Sequence, residues 1–436
     1  MDNNVAEIEL PKEALAAFYK QALQLELEKL IIENSDGDIE PDSENEELND
    51  PFNPEEISID SKKVPMETCL RRLTQGTIKL NPDFQRNEVW TIEKKSQLIE
   101  SLMLNIPLPM FYVSADERSN YTVIDGLQRL STIRSFILGD DYFQTREESK
   151  KGNGFKLQNL EFWKIYQDKS FNELPVNIKN RILETEFTFT IINPGTPEEI
   201  RRNIFKRVNT GGLPLSSQEI RNALYSGETT KLLNELAQYP EFKQATGESI
   251  KSLRMEDKEL ILRFIAFLVR DYTSYKKTIS IDTFLSDTMI IVNNMPTFNN
   301  REFKRLTEQD KEGKEQRVNI QDIIVTDRNL IKTYFKKAMT RSYQLFNEHT
   351  FRKSYGNNRK SQLNKSLFEM WGVLLSQLTD IEFAQLVNQR EQLMLDYQQF
   401  INNNDFQLAI SKDSMKHASV KYRFDTIKEL INKNIH

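Results

Sequence analysis

Apolar positions recur along this chain with three different spacings. Between residues 10 and 33, Leu15, Phe18, Ala22, Leu23, Leu27, Leu30 and Ile31 fall three and four apart, which gathers them on one broad face of a helix. A face that apolar needs cover, so it is expected to dock on the body of the chain or to pair copies into a homo-oligomer. Residues 34–56 carry three prolines and only scattered apolar side chains, and read as a disordered linker.

From 57 to 226 short alternating runs mix with helical spacing. Residues 57–60, 109–114 and 121–125 read as strands, and 185–192 alternates so that Phe187, Phe189 and Ile191 share one face. Thr91 stands where an N-cap belongs, ahead of a helix burying Ile92, Ile99, Leu102 and Met103. Thr196-Pro-Glu-Glu199 and Ser216-Ser-Gln-Glu219 each spell a capping box, the first with Pro at the first helical position. The loop between those two helices, Asn209-Thr-Gly-Gly-Leu-Pro214, is thereby held at both ends, as binding loops usually are. Beyond 227 the period is almost entirely helical, most clearly over 256–272, 330–345 and 363–375, with a highly charged surface excursion at 299–319. The expected organisation is an amphipathic helix (1–33), an acidic linker (34–56), an α+β domain with a small mixed sheet (57–226) and an all-helical domain (227–436).

Composition narrows the function classes. A chain of 436 residues can bury a sizeable core, and two or three domains are expected. It has no run of eighteen apolar residues and does not open on a signal peptide, so no membrane partner is expected. Cys69 is the only cysteine, which leaves no internal disulfide and points to a reducing, cytoplasmic setting. The net charge of −6 hides an asymmetry: residues 34–56 hold ten carboxylates and no lysine or arginine. With those ten set aside, 59 basic residues face 55 acidic ones, a net of +4, so the body can meet a polyanion that the linker repels.

The most informative stretch is Tyr121-Thr-Val-Ile-Asp-Gly-Leu-Gln-Arg129 and the apolar residues after it. It reads as a buried strand, an Asp125-Gly126 turn and the first turn of a helix. Gly126 lets the backbone approach a ligand closely, and the N–H groups of Leu127, Gln128 and Arg129 meet it with the positive end of the helix dipole, which suits a phosphate. Arg129 can grip two phosphate oxygens at once, and Gln128 adds an amide. Asp125 would repel an anion unless it binds a metal, positions a water or orients Arg129. As a purely structural element, strand–Asp-Gly–helix is a common connection.

Several other signals fail on local geometry. Pro82-Asp83 with Glu93-Lys94-Lys95 spells a PD-(D/E)xK nuclease, but Glu93 and Lys95 fall in the first turn of a helix rather than on one face of a strand. Asp36 to Glu47 follows the ligand spacing of an EF-hand, yet its sixth position is Pro41 where a sharp turn demands Gly. The three histidines lie far apart in sequence, and a Walker A sequence is absent. The basic, aromatic run 351–365, with Arg352, Lys353, Arg359 and Lys360, reads either as a solvated face or as a DNA-binding segment.

Asn81-Pro-Asp-Phe-Gln-Arg86 with Trp90, Asp125-Gly-Leu-Gln-Arg129, and Phe205-Lys-Arg-Val-Asn-Thr-Gly-Gly212 occur in that order. Together they resemble the prokaryotic family named after the N-terminal domain of GmrSD-type restriction endonucleases. Its signature is Asp-Gly-Gln-Gln-Arg and its fold is similar to ParB and sulfiredoxin. Residues 126–129 also fit the Gly-x-x-Arg phosphate motif of that superfamily. Leu127 replaces the first Gln of the signature, which removes one polar contact. Arg254-Met-Glu-Asp257, Leu262-Arg-Phe264 and the 351–365 run resemble the C-terminal half of longer members.

The resemblance implies an NTP cofactor with Mg2+, bound by Gln85, Arg86, Gly126, Arg129, Asn209 and Thr210. Asp125, Gln128 and Arg129 would be the catalytic set, with Asp125 as the Mg2+ ligand. It further implies a nucleotide-dependent, DNA-sensing component of a defence system that signals to a separate effector, since no nuclease module follows. The alternative is a nucleotide-binding regulator that does not hydrolyse and restrains a toxic partner.

Overall fold

The structure, a computed structural model, describes residues 38–40, 58–80, 90–116, 118–194, 196, 200, 201, 204, 216–250, 254–307, 316–356 and 358–435. The expected helix over 10–33, most of the acidic linker, the turn with Gln85 and Arg86, and the loop with Asn209 and Thr210 lie outside the described residues. The chain divides into two compact units: residues 48–215 form one, and residues 1–47 with 216–436 form the other. The division falls short of the expected boundary at 226, because the capping box at Ser216 opens a helix, Ser217–Leu224, that packs within the second unit.

The first unit is α+β around a mixed five-stranded sheet. Its elements are β1 (Ile59–Pro65), α1 (Met66–Thr74), β2 (Ile78–Lys79), α2 (Ile92–Met103), β3 (Phe111–Ala115), β4 (Tyr121–Asp125), α3 (Leu127–Ile137), α4 (Asp140–Thr145), α5 (Val176–Leu183) and β5 (Glu186–Ile192). The strands lie in the order β1-β5-β3-β4-β2. β5 pairs antiparallel with β1 and parallel with β3; β4 pairs antiparallel with β3 and parallel with β2. The four strands read from the sequence are present. The fifth, β2, has only two residues, too few for any period to register. β1 runs to Pro65 with nearly all its side chains exposed, and its Lys62, Lys63 and Pro65 suit an edge that must not recruit another strand.

Alternation fixes which strand faces are buried. Phe187, Phe189 and Ile191 are buried on β5 while Thr188 and Thr190 are only partly so. Phe111 at the start of β3 is fully buried, its ring 5.0 Å from that of Phe187 and 5.3 Å from that of Phe189. Helix α1 buries Met66, Cys69, Leu70 and Leu73, the three-and-four spacing of one helix face. Thr91 caps α2 as expected, its hydroxyl accepting from the Lys94 N–H at 3.4 Å, and Glu93 is an exposed first-turn residue.

One carboxylate on the apolar face of α2 breaks the pattern. Glu100 is 3 % exposed, and its oxygens accept the backbone N–H groups of Glu161, Phe162 and Trp163 at 2.9, 2.8 and 2.8 Å. Three otherwise orphaned donors in a long loop thus converge on a single side chain. Packing alone would leave them unsatisfied at a cost of about 1–3 kcal/mol each.

The second unit is helical and built around Glu256–Val269, Ile281–Asn293, Arg328–Phe346 and Lys365–Gln377. Three of these correspond to the helices read from periodicity, with ends shifted by a few residues. Its core includes a chain of buried charges that hydropathy does not reveal. Arg221 pairs with Asp282 and Glu259; Glu259 also meets Arg263 at 3.3 Å and Lys365 at 3.1 Å; and Glu369 joins Arg263 to Arg423. Burial alone would raise the Glu259 carboxyl, but Lys365, Arg263 and Arg221 together hold it far below the usual carboxylate range. Among the described residues no helix is long and apolar enough to cross a membrane.

Cys69 supplies a probe of the first unit. It is 1 % exposed, and burial pushes its thiol up to about 12. At pH 8 a thiol reagent should therefore label it only when the unit opens. Glu100→Ala should raise that labelling rate roughly 30-fold, corresponding to about 2 kcal/mol for the missing carboxylate acceptor. Wild-type labelling kinetics in the variant would show that packing, and not Glu100, holds the 161–163 loop.

Candidate functional site

The end of β4 and the start of α3 form the turn expected from the sequence. Gly126 has φ +94° and ψ 11°, a left-handed conformation, and is the residue from which α3 starts. The local reason is steric as well as torsional. A Cβ at this position would lie 2.3 Å from Cδ1 of Phe111 and 3.2 Å from Nη2 of Arg129. The close approach that Gly126 permits is therefore filled, at least on that side, by the protein's own aromatic ring.

Immediately before the turn the β3–β4 register slips between Tyr112 and Val113, so that Asp125 lies opposite Tyr112. A bulge of this kind re-aims the side chains next to it. Asp125 is partly exposed and its Oδ2 accepts from Nη2 of Arg129 at 2.8 Å, four residues on. Arg129 lies over the Phe111 ring, its Cζ 4.5 Å from the ring centre, and Nη1 donates to the Pro109 carbonyl. Nη2 also reaches the Met110 carbonyl at 3.4 Å. Burial pulls the Arg129 guanidinium below its ordinary value, while the Asp125 charge works against that shift.

Of the three roles open to Asp125, orienting Arg129 is the one seen in this geometry. A two-oxygen phosphate grip by Arg129 would have to share its terminal nitrogens with Asp125 and the Pro109 and Met110 carbonyls, which already meet them. The backbone half of the expectation stands better. The first intrahelical bond of α3 runs from Leu130 N–H to the Gly126 carbonyl at 2.9 Å, so the N–H groups of Leu127, Gln128 and Arg129 precede the helical ladder. Gln128 is half-buried, and its amide has no hydrogen-bond partner among the described residues. Leu127 packs against the core of the unit. Among the described residues no group of three or more acidic, His or Cys side chains could hold a metal ion. Gln85, Arg86, Asn209 and Thr210 lie outside the described residues.

The four basic residues expected to meet DNA belong to the helical unit, and they divide two and two. The Arg352 side chain is 5 % exposed, and its Nη1 and Nη2 meet the two oxygens of Asp38 at 3.0 and 2.5 Å. Lys353 contacts Glu40 at 2.8 Å and the Ser411 hydroxyl at 2.8 Å. With Asp38 and Glu40 in place, both cations are already paired, so a phosphate would have to displace these carboxylates to meet them. Arg359 and Lys360 are exposed, Lys360 next to Glu348 at 2.8 Å. His349 pins the preceding turn through Ser354 and the Gly356 carbonyl. A separate cleft of about 260 Å³ in the same unit is lined by Glu228, Lys231, Glu235, Arg328 and Lys332 among others. Its lysines pair with Glu228 and Glu235, and Asp327 in the same lining balances Arg328, so it offers no net charge to a ligand.

Sequence reading missed Phe111 and the Pro109 carbonyl as the seat of Arg129, and nothing in the local pattern marks either. Glu100 and the Asp38–Arg352 contact were missed as well. Glu100 carried a signal, a carboxylate next to Ile99 on an apolar helix face.

Residues 67–226 match the family described as GmrSD restriction endonuclease, N-terminal domain, and this part of the chain belongs to it. No curated protein and no solved structure matches the chain.

Gly126→Ala should lower the stability of the first unit by about 2–3 kcal/mol. The methyl group would collide with Phe111 while the backbone is held at positive φ. The urea midpoint of the variant measures this, and an unchanged midpoint would mean that Phe111 and the turn relax freely.

Proposed function

We propose that this GmrSD-type domain binds the phosphates of a nucleotide at the N-terminus of α3, within a ParB/sulfiredoxin-like fold. The chain would then act as a nucleotide-dependent, DNA-sensing component of a restriction-type defence system and pass its signal to a separate effector. The observation that carries the reading is the left-handed Gly126 opening a helix whose first-turn N–H groups precede the ladder, beside an unengaged Gln128 amide. Such a helix start favours an anion through both its donors and its dipole.

The residues present fit a phosphate group in part. Leu127, Gln128 and Arg129 would hold it through backbone N–H groups, and Gln128 through its side-chain amide. Arg129 contributes positive potential and fixes the turn, because its terminal nitrogens are shared between Asp125 and backbone carbonyls. Asp125 keeps Oδ1 without a hydrogen bond among the described residues and could face Mg2+ or orient a water. The metal would supply charge neutralisation at the phosphates. Gln85, Arg86, Asn209 and Thr210 remain proposed nucleotide contacts on the family resemblance alone.

A second reading has one observation of its own. Leu127, at the signature position occupied by Gln in the family, packs into the core instead of offering an amide. A site with one polar group fewer suits a regulator that binds nucleotide without turnover and restrains a partner.

Calorimetric titration with NTP and Mg2+ and multiple-turnover phosphate release, with and without DNA, test the two readings. Gln128→Ala should weaken nucleotide binding roughly tenfold, the value of one hydrogen bond to a charged group at about 1.4 kcal/mol. Asp125→Asn should retain binding and lose turnover. Binding without any phosphate release, in the presence of DNA, would select the regulator; wild-type affinity in Gln128→Ala would remove Gln128 from the site.

DNA binding, if the helical unit provides it, falls to the exposed pair. Replacing Arg359 and Lys360 with alanine should lower the slope of log K against log salt by about 0.9 for each phosphate of duplex DNA that is no longer neutralised. An unchanged slope would leave this segment a solvated face.

A further inference from the structure

Residues 38–40 are seated in the helical unit as if they were a bound peptide. The Glu40 N–H donates to the Leu363 carbonyl at 2.8 Å and the Leu363 N–H donates to the Asp38 carbonyl at 2.6 Å. The segment thereby adds a parallel bridge beside the antiparallel Arg352–Leu363 bridge. Ile39 is 6 % exposed and belongs to the hydrophobic core of the unit. Asp38 takes both forks of Arg352, and Glu40 takes Lys353 at 2.8 Å and the Asn364 amide at 2.7 Å.

We propose that this groove recognises an extended acid–apolar–acid segment, that residues 38–40 fill it in cis, and that a partner protein's segment of the same chemistry takes it in trans. Three features carry the inference. The groove is built around a buried guanidinium whose other partners, the Ser361 and Thr246 carbonyls and the Ser249 hydroxyl, are neutral. Without the cis carboxylate it holds an uncompensated charge, so it selects for an anion. Two cations, Arg352 for the first residue and Lys353 for the third, with an apolar seat for the residue between them, define an acid–apolar–acid spacing that matches the alternation of a strand. Paired backbone hydrogen bonds require a polypeptide rather than a phosphodiester, which has no amide to exchange.

The cis contact depends on the charge of Asp38. Burial works to raise the Asp38 carboxyl, yet hydrogen bonds from Arg352 and Ser249 and the Arg352 charge hold it below its ordinary value. Its contribution is therefore present at neutral pH and is lost as acid protonates it. The residues that follow in sequence, 41–57, include seven more carboxylates, Asp42, Glu44, Glu46, Glu47, Asp50, Glu55 and Glu56. They repel a second acidic ligand only while the segment stays near the groove. The inference concerns the helical unit and stands apart from the nucleotide reading.

The test uses the full chain and a fluorescein-labelled peptide of residues 35–43, Ser-Asp-Gly-Asp-Ile-Glu-Pro-Asp-Ser. Fluorescence anisotropy should show the Asp38→Ala/Glu40→Ala variant binding this peptide at least tenfold more tightly than the wild type. A control peptide with Asn and Gln in place of the acidic pair should lose that gain. If the double variant does not fold, Ile39→Ala, which keeps both ion pairs and removes only the apolar seat's occupant, should show a gain in the same direction. Equal binding by wild type and folded variants, or none by either, overturns the proposal. A gain for labelled duplex DNA without one for the peptide overturns it too and makes the groove a phosphate site.

Discussion

The absence of a Cβ at Gly126 is the constraint on which the candidate site depends. It lets the Phe111 ring press against the turn, and that ring is the surface on which Arg129 lies. A guanidinium placed there loses much of its water, so it must find oxygen partners nearby. Asp125 and the Pro109 carbonyl provide them. The signature residues thus hold one another as well as any ligand. Asp125, Gly126 and Arg129 form a closed arrangement between β4, α3 and the approach to β3, and the first turn of α3 is aimed by it.

Much of the fold was legible in the sequence because burial on one face leaves a period. Phe187, Phe189 and Ile191 announce β5, and Thr91 and Ser216 announce the helices they cap. The strand–turn–helix around Gly126 was legible for the same reason, since apolar residues stop and resume on either side of Asp-Gly. What could not be read was pairing across sequence. Arg129 shows from its position in the motif that it matters, but its contacts at Pro109 and Phe111 depend on how β3 lies beside β4. Arg352 in a basic run looks like a surface cation, and only the fold reveals that Asp38 sits against it.

The helical unit makes the same point with charge. Glu259, Arg263 and Glu369 interrupt the apolar faces of their helices and would count as polar positions in any hydropathy reading. They can sit inside the unit because each has an opposite charge from another helix within reach: Lys365 and Arg221 for Glu259, Glu369 for Arg263, and Arg423 for Glu369. Replacing one member would strand its partners in low dielectric, at about 3–5 kcal/mol for a broken buried pair. These ion pairs therefore tie together helices that share the hydrophobic core, and they make the choice of neighbouring helix specific where Leu, Ile and Phe contacts alone would permit sliding.

The contact between Asp38 and Arg352 spans 314 positions of the chain. In the order of synthesis, residues 38–40 emerge before their receptor groove, with the entire sheet unit made in between. The sheet unit is an insertion within the helical one and closes on contacts available within residues 48–215. The helical unit must instead wait for residues 352–364 before its early strand has anywhere to pair. During translation Asp38 and Glu40 thus stay without their partners until Arg352, Lys353 and Leu363 have been made, and residues 38–40 become a structural element only then.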